Sequence, residues 1–426
     1  MKIVHVITND LEGGAARAAY RLHGGLLKLG HESLMFVAHK ASDDPTVIQF
    51  SPSCDLASRA ARFLPRRQIK RDFAKYAVTR PEGFELFSDD RNSFGRQSVI
   101  QLPEADIVNL HWISGFIDYR AFFSSLPERI RIVWTLHDMN PFTGGCHYDM
   151  GCAKYLEGCG ACPQLGSEHL NDLSRQIWQR KYSLFSSLDP ASLHLIALNQ
   201  WMAKEVHNSP LLSRFPVSVI PNGLDASVFK PRNKKTAREF FEIKPDAKVV
   251  LFVAHSTNIK RKGLDMLMQA LSELRDLPSL TLLSVGRNKP QVDFGMEHLH
   301  LGLIDNDLVL SQIYNAADVF VIPSFQDNLP NTLMEAMACG TPSVGFDAGG
   351  IPDLIRPGKT GFLIKNFDIE AMRNAIRELL IKTELRVSMS QQCRDSALNA
   401  FTQEYQAGNY SKLYESILMP LRTTDA

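Results

Sequence analysis

No stretch of the 426-residue chain stays apolar over the roughly 18 residues that a membrane-spanning helix requires. The first segment, MKIVHVITND, has the pattern of a β-strand and not of a signal peptide, so we expect a cytoplasmic protein. The net charge is only +1, which leaves no overall field to attract nucleic acid, and we expect no nucleic-acid partner. With 44% hydrophobic and 22% charged residues, the composition is typical of a soluble globular protein with two domains.

Cysteine is scarce, but four of the seven cysteines lie within residues 146 to 162. They follow the pattern C-x5-C-x6-C-x2-C and are Cys146, Cys152, Cys159 and Cys162. In a reducing compartment the cluster favours a metal site over disulfides, and the closing C-x2-C suits a tetrahedral zinc ion. His147 could replace one thiolate. The surrounding loop is rich in glycine with little apolar content, so zinc would supply its order. The alternatives are reduced thiols that pack a loop, or redox pairs.

Short apolar runs alternate with helical patterns along the chain, which is typical of parallel sheets with crossover helices. In the first half, strands are predicted at Lys2–Ile7, Glu32–Ala38, Ile107–His111, Ile132–Leu136, Leu193–Ala197 and Val217–Ile220. After the turn-rich stretch PNGLDASVFKP, strands are predicted at Val249–Val253, Leu280–Val285, Val319–Ile322, Ser343–Phe346 and Gly361–Leu363. We therefore predict two doubly wound α/β domains, 1–225 and 226–401, with a ligand cleft between them at the carboxyl ends of the strands. A last helix, about Thr402–Leu421, would follow the second domain.

One segment, 59–80, is unusually basic and carries eight Arg or Lys side chains against the single acid Asp72. Phe63, Leu64, Ile69 and other apolar residues are interleaved with these charges. The segment is either a solvated helix face with a few core contacts or a basic amphipathic element that touches anionic lipid or a diphosphate-linked lipid.

The stretch SFQDNLPNTLMEAMACGTP (324–342) places two carboxylates, Asp327 and Glu335, shortly after the predicted strand VFVIPS. Pro330 suits the first turn of the helix that follows, and the start of that helix is a natural place for phosphate. A carboxylate one turn inside the helix repels phosphate, but it can accept two hydrogen bonds from adjacent hydroxyls such as those of ribose. Asp327, on the loop, could accept from a sugar hydroxyl. The alternative is that Glu335 is a capping or ion-pairing acid.

Several motifs in the same order resemble the large retaining glycosyltransferase family 4. They are GGAARAAYRLHGGLLKLGHE (13–32), IPNGLD (220–225), KGLDMLMQAL (262–271), IYNAADVFVIPS (313–324) and PSFQDNLPNTLMEAMACGTPSVGFDAGGIPDLI (323–355). The resemblance covers most of the chain and implies the GT-B fold, in which two Rossmann-like domains face each other across a cleft. It also implies that the C-terminal segment 402–426 crosses back and packs on the first domain.

The resemblance also assigns roles to individual residues. Glu335 takes the place of the glutamate that holds the ribose, and Asp327 takes the place of a glutamate that contacts the transferred sugar, here one methylene shorter. Lys262 matches the lysine that contacts the diphosphate, and Arg261 would supply the charge that is missing because Ser256 stands where the family often has arginine. His137, in TLHD, falls where the family places an active-site histidine. The implied donor-binding set is Gly13, Gly14, Arg261, Lys262, Asn331, Thr332, Glu335, Gly349 and Gly350.

The implied activity is retaining transfer of a sugar from a nucleoside diphosphate sugar to a hydroxyl of a glycan or a polyprenyl-diphosphate-linked acceptor. The basic segment 59–80 would add a peripheral contact at the inner membrane. No catalytic metal is expected, so a zinc ion on the cysteines would be structural. The cysteine loop resembles an insertion in the colanic-acid and exopolysaccharide subset of the family. Two alternatives remain: a nucleotide-sugar epimerase of similar fold, and a non-catalytic subunit that binds nucleotide or glycan. A nicotinamide dehydrogenase is disfavoured, because TNDLEGGAARA lacks the G-x-G-x-x-G order.

Overall fold

The structure is a computed structural model that describes residues 1–127, 130–291 and 295–419. Two compact units divide the chain: the first is Met1–Pro221 together with the C-terminal helix from Gln406, and the second is Asn222–Tyr405. Within the described residues, no helix is long and apolar enough to cross a bilayer.

The first unit is built on a parallel sheet of seven described strands. The strands are β1 (Lys2–Asn9), β2 (Glu32–His39), β3 (Val47–Gln49), β4 (Ile107–Leu110), β5 (Arg131–Leu136), β6 (Leu193–Ala197) and β7 (Val217–Val219). Their spatial order is β3-β2-β1-β4-β5-β6-β7. The central strands are buried along nearly their whole length, as a parallel sheet covered by helices on both faces requires.

Helices connect these strands and cover the sheet. They are α1 (Gly14–Lys28), α2 (Leu56–Ala74), α3 (Gln97–Ile100), α4 (Tyr119–Phe123), α5 (Leu173–Ser187) and α6 (Gln200–Asn208). Trp134 and Phe185 lie in the largest core of this unit, between the sheet and the helices. All described strands of the unit pair in parallel, so each connection must cross back along the sheet.

The second unit repeats the same plan with a parallel sheet of six described strands. The strands are β8 (Lys248–Ser256), β9 (Leu280–Arg287), β10 (Glu297–His300), β11 (Val319–Ile322), β12 (Ser343–Phe346) and β13 (Gly361–Ile364), in the order β10-β9-β8-β11-β12-β13. The helices are α7 (Lys234–Phe240), α8 (Leu264–Ser272), α9 (Asp307–Ala316), α10 (Asn331–Ala338), α11 (Ile369–Ile381) and α12 (Thr383–Ala400). Its core lies around Phe252, Leu282 and Val321.

The last helix, α13 (Gln403–Leu418), packs its buried tyrosines on the first unit's sheet. The hydroxyl of Tyr410 lies 3.0 Å from Oγ1 of Thr135, and Asn109 donates to the hydroxyl of Tyr414 at 2.8 Å. The helix predicted at Thr402–Leu421 is found at Gln403–Leu418, and positions 420–421 of the prediction lie outside the described residues.

The predicted fold class is confirmed: both units are doubly wound parallel α/β structures. Every predicted strand is present within three residues of its predicted ends. The prediction missed β3 and β10. Both are short strands at the edge of their sheets, and β10 (EHLH) has no apolar run, because an edge strand needs fewer buried side chains than a central one.

Candidate functional site

Three loops of the second unit meet at the carboxyl edge of its sheet. Because β8, β11 and β12 are adjacent and parallel, the segments that follow Ser256, Ile322 and Phe346 leave the sheet at the same edge. These segments carry Arg261 and Lys262, Asp327, and the pair Gly349–Gly350. The carboxyl edge of a doubly wound sheet is where ligands bind in this architecture.

Asp327 joins two of these loops through two ion pairs. Nζ of Lys262 donates to Oδ2 of Asp327 at 2.6 Å, and Nη1 of Arg261 lies 3.2 Å from Oδ1. Arg261 also donates to the carbonyl oxygen of Gln326. The side chains of Asp327 and Arg261 are 8% and 6% exposed, whereas that of Lys262 is 22% exposed. Lys262 is thus the cation of the pair that a ligand reaches more easily.

The charge state of Asp327 follows from these contacts. Burial raises the pKa of its carboxyl group, but the charges of Lys262 and Arg261 outweigh burial and hold the pKa at about 2. Asp327 is therefore ionised throughout the physiological range, and it can only accept hydrogen bonds.

Glycine is required at two points of this edge. Gly263 has φ +66°, and a Cβ there would lie 1.8 Å from the carbonyl oxygen of Pro323. Gly349 has φ +57°, and a Cβ there would lie 2.1 Å from the carbonyl oxygen of Asp327, which also accepts the backbone N–H of Gly350 at 2.8 Å. The Gly349–Gly350 loop therefore supports the backbone of Asp327, a role that the sequence pattern did not indicate.

Glu335 lies on α10, one turn beyond Asn331 and Thr332 at the start of the helix. The carboxylate is 3% exposed and accepts a hydrogen bond of 3.0 Å from the hydroxyl of Tyr314. The amide of Asn222 donates to Oδ1 of Asn331 at 3.3 Å. Hydrogen bonds in such a buried setting are stronger than in water, because the local dielectric is low.

A cavity of about 580 Å³ opens at the same edge of the second unit, and Lys262, Asp327 and Glu335 are not among the residues that line it. The loops after β8 and β9 form its walls, and Asn258, Lys260, Asn288 and Lys289 line it together with Leu264. Its volume falls in the range of small-molecule sites, roughly 300–1,000 Å³. Two lysines and two asparagines favour a polar ligand, and the lining also includes the carboxylate Asp265.

The first unit holds the other predicted site residues at the carboxyl edge of its own sheet. Gly13 follows β1 with φ +93°, a left-handed conformation that favours glycine, and Gly14 begins α1. His137 follows β5 and is partly exposed. Its Nε2 lies 2.9 Å from Nδ1 of His111, and Nε2 of His111 lies 2.9 Å from Nδ1 of His5.

His5 and His111 were missed by the sequence analysis. Each lies in or just after an apolar strand, where a single histidine carries no pattern of its own. Only the parallel pairing of β1, β4 and β5 brings the three rings together.

The four clustered cysteines line a single small, mostly apolar cavity. Burial raises the pKa of the thiols of Cys146, Cys159 and Cys162. Among the residues that the structure describes, however, no three His, Cys, Asp or Glu side chains have the arrangement of a metal site. The structure thus gathers the four thiols around one cavity.

Two expectations about this loop need correction. His147 is not a candidate ligand, because its Nε2 is 2.8 Å from the hydroxyl of Ser88 and its Nδ1 is 2.6 Å from Oδ2 of Asp138. The loop also does not lack packing. Phe142, Tyr155 and Leu165 are buried in it and belong to the hydrophobic clusters of the unit, so apolar contacts already order much of the loop.

A buried lysine that the sequence analysis missed anchors the same loop. Lys181 on α5 is fully buried, and its Nζ donates to the carbonyl oxygens of Asn140 and Thr143 at 2.5 and 3.1 Å. Burial lowers the pKa of Lys181 to about 8, although the charge of Asp90 opposes the shift. Lysine on a helix is usually solvated, so no sequence signal marks it.

Solved structures of known proteins resemble the fold of this chain. The chain resembles solved structures along its whole length: a sucrose-phosphate synthase from Thermosynechococcus elongatus (TM-score 0.68, 19% identity, 98% of this chain and 99% of that chain) and Anabaena HepE in complex with UDP and glucose (TM-score 0.65, 16% identity, 98% and 100%). The two Rossmann-like units have the GT-B fold.

Family models and curated relatives narrow the class. Residues 12–228 match the model described as Glycosyltransferase Family 4, and residues 247–382 match Glycosyl transferases group 1. The chain belongs to glycosyltransferase family 4.

Two curated relatives match part of the chain. The D-inositol 3-phosphate glycosyltransferase of Mycobacteroides abscessus is 31% identical over 182 residues, which is 39% of each chain. The N-acetyl-alpha-D-glucosaminyl L-malate synthase of Bacillus anthracis is 26% identical over 208 residues, 47% of this chain and 54% of that one. The matches thus span about two fifths to one half of the relatives' lengths.

The Asp327 ion pairs generate the first prediction. Asp327→Asn removes the negative charge that compensates Arg261 and Lys262, so we expect a loss of roughly 3–5 kcal/mol in the free energy of unfolding, measured with urea. Asp347→Asn is the matched control on the next loop. Asp347 is exposed, and its substitution should change stability by no more than about 0.5 kcal/mol. Equal stabilities of the two variants would contradict a structural role for the ion pairs.

Zinc on the four cysteines stays a prediction. Because all four thiols line one cavity, we expect about one zinc ion per chain in protein purified without added metal, measured by elemental analysis. Cys159→Ser should abolish the zinc, whereas Cys54→Ser, at an exposed cysteine outside the cluster, should retain it. Zinc well below one per chain, with four freely titratable thiols, would show that the loop is held by packing alone.

Proposed function

We propose that this protein is a retaining glycosyltransferase, which moves a sugar from a nucleoside diphosphate sugar to a hydroxyl of a glycan or polyprenyl-diphosphate-linked acceptor. The observation that carries the proposal is the placement of Lys262, Asp327 and Glu335 on the segments that follow β8 and β11, at the carboxyl edge of a Rossmann-like sheet. A nucleoside diphosphate sugar presents a diphosphate, a ribose diol and a sugar, and this edge offers a cation and two carboxylates to bind them.

Lys262 is the residue that we assign to the diphosphate. Its ammonium group is the more exposed of the two cations on Asp327, so an incoming diphosphate can share it. Arg261 is more deeply buried and also donates to a backbone carbonyl, so we assign it to holding the Asp327 loop in place.

Glu335 and Asp327 are assigned to hydroxyl groups. A carboxylate on α10 can accept both hydroxyls of a ribose, and Tyr314 orients it by donating to one of its oxygens. Asp327 stays ionised, since its pKa is about 2, and it can accept from a hydroxyl of the transferred sugar while it remains paired with Lys262.

In the proposed reaction the bond between the anomeric carbon and the diphosphate oxygen breaks, and the acceptor oxygen forms its new bond on the same face of the sugar. The diphosphate leaves with the bonding electrons, and Lys262 stabilises the negative charge that develops on it. The leaving oxygen takes up the proton of the acceptor hydroxyl, so no metal ion is required. The partly exposed His137 of the first unit is assigned to a hydrogen bond with a substrate oxygen.

The relatives suggest which substrates to examine first. HepE was solved with UDP and glucose, so a UDP-sugar is the first donor to test. One relative is named for D-inositol 3-phosphate and another for L-malate, which shows that small acceptors occur among the similar proteins. The resemblance of the cysteine loop to exopolysaccharide enzymes supports a glycan acceptor in surface polysaccharide synthesis.

Helix α2 supports a contact with the membrane, where a lipid-linked acceptor would lie. One stripe of α2 points outward, and its apolar side chains Leu56, Phe63 and Leu64 are 82%, 60% and 70% exposed. Exposed basic residues lie on the same face or border it: Arg59, Arg66, Arg67, Lys70 and Arg71.

The opposite side of α2 is attached to the protein. Arg62 donates to the side chain of Gln97 at 2.9 Å, and Asp72 pairs with Arg91 at 3.0 Å. An anchored helix with an outward apolar stripe between basic residues has the composition of a helix that lies on an anionic bilayer. We therefore assign the outward stripe to the inner face of the cytoplasmic membrane.

Binding of nucleotides tests the proposal. One of UDP, GDP and ADP should raise the midpoint of thermal unfolding, because a ligand that binds only the folded state stabilises it. Glu335→Gln should weaken the affinity for that nucleotide by about ten- to a hundredfold in calorimetry, since a charged hydrogen bond contributes roughly 1.5–3 kcal/mol.

Tyr314→Phe is the matched control, because it removes the hydroxyl that orients Glu335 and leaves the carboxylate in place. Its loss of affinity should be smaller. Unchanged affinity in a folded Glu335→Gln variant would contradict the ribose assignment. If the protein converts the sugar nucleotide into its epimer in the absence of an acceptor, the function is that of an epimerase and not of a transferase.

Vesicle sedimentation tests the membrane contact. The fourfold variant Arg59→Gln, Arg66→Gln, Arg67→Gln and Arg71→Gln should lose most of the binding to phosphatidylglycerol vesicles at low salt, because each basic residue near the surface contributes about 1 kcal/mol. A control with four exposed lysines changed to glutamine, at Lys204, Lys230, Lys359 and Lys365, removes the same charge elsewhere. Equal binding of the two variants would rule out α2 as the docking element.

A further inference from the structure

Three histidines form a hydrogen-bonded chain across three neighbouring strands of the first unit. His5 lies within β1, His111 follows β4 and His137 follows β5. The nitrogen-to-nitrogen distances are 2.9 Å for His5 Nδ1 to His111 Nε2 and 2.9 Å for His111 Nδ1 to His137 Nε2. His5 and His111 are 0% and 3% exposed, and His137, the last of the three hydrogen-bonded rings, is partly exposed.

The three rings are neutral at physiological pH. Burial lowers the pKa of His5 and of His111 well below the ordinary value, and their histidine neighbours, His23 for His5 and His5 and His137 for His111, lower it further. Burial lowers the pKa of His137 to about 4, although the charge of Asp138 opposes the shift. Each ring therefore carries one proton, on one of its two nitrogens.

Two neutral rings in contact need one donor and one acceptor, so the tautomers of the chain are linked. If His111 carries its proton on Nδ1, it donates to His137 and accepts from Nδ1 of His5. If it carries the proton on Nε2, it donates to His5 and accepts from Nε2 of His137. All three rings are consequently either Nδ1–H or Nε2–H, and a mixed pattern would break at least one contact.

The buried end of the chain distinguishes the two patterns. Nε2 of His5 is buried and has no hydrogen-bond partner among the described residues. The nearby His23 uses both of its nitrogens, at 2.7 Å from the hydroxyl of Ser33 and 2.8 Å from that of Thr46. An Nε2–H pattern would bury an N–H group without an acceptor, which native structures rarely do. The Nδ1–H pattern leaves only a lone pair there.

We infer that His5 and His111 hold His137 as the neutral Nδ1–H tautomer, so that His137 offers its ligand a hydrogen-bond donor and not a base. His111 occupies Nε2 of His137, which leaves Nδ1 as the nitrogen for a ligand. His5 and His111 are positioning residues in this scheme. The role toward a substrate oxygen rests on the proposed function, whereas the tautomer does not.

Nitrogen NMR of the wild-type protein with ¹⁵N-labelled histidine tests the tautomer directly. Three coupled rings of the Nδ1–H type are expected at pH 7.5, and the partly exposed His137 is assigned with the variant His137→Asn. Three Nε2–H rings would overturn the donor role. A mixture of Nδ1–H and Nε2–H rings would contradict the hydrogen bonds that link the three histidines. Both results are independent of any enzymatic activity.

A variant of the central ring tests the linkage. His111→Phe removes the donor to Nε2 of His137, so His137 should leave the pure Nδ1–H form and shift toward Nε2–H in the same spectra. His194→Phe is the matched control. His194 is a half-buried histidine of the same sheet that bonds Ser218 and lies outside the chain, and its variant should leave His137 unchanged. An unchanged His137 in a folded His111→Phe protein would also contradict the inference.

Turnover of the sugar nucleotide shows whether His137 acts as a hydrogen-bond donor or as a base. The amide nitrogen of asparagine can take the place of Nδ1 of histidine, so His137→Asn should retain at least about ten times the activity of His137→Leu. If His137 acted as a base, both variants would lose activity to the same extent. Equal losses of activity would therefore overturn its role as a hydrogen-bond donor. If neither the wild-type protein nor any variant turns over a sugar nucleotide while the Nδ1–H pattern is found, the proposed function fails and the tautomer inference stands.

Discussion

Parallel pairing of the strands is the constraint on which the rest of this structure depends. In each unit every described strand runs in the same direction, so all carboxyl ends open at one edge and all connections must return along a face. Residues that are 65 positions apart, such as Lys262 and Asp327, therefore meet as neighbours. The same constraint aligns His5, His111 and His137 across the sheet of the first unit.

Buried charges hold a loop at the carboxyl edge of each sheet. Asp327 keeps its charge at the edge of the second unit because two cations compensate the cost of burial. In the first unit Lys181 is compensated differently, by two carbonyl oxygens and by the nearby Asp90, and it holds the loop that carries the cysteines. Both arrangements attach a loop to the rest of its unit through charged hydrogen bonds, and in the first unit these act together with apolar packing.

The cysteine loop shows how local composition can mislead. Glycine and cysteine dominate residues 144–162, so the sequence favoured a metal as the source of order. The folded loop instead buries Tyr155 in the core of the unit and hydrogen-bonds His147 to Ser88. These contacts come from strands and helices distant in the chain, and a local pattern does not report them.

The sequence by itself determined the elements and their class. Alternating apolar runs and helical patterns predicted the central strands of both sheets, because a strand buried on both faces must be apolar along its length. The motif around Asp327 and Glu335 likewise located the edge of the second unit. Tertiary structure decided which side chains touch: the two cations on Asp327, the support from Gly349, and the partners of His137. Such contacts depend on strand order and on the register between distant segments, and a local sequence pattern predicts neither.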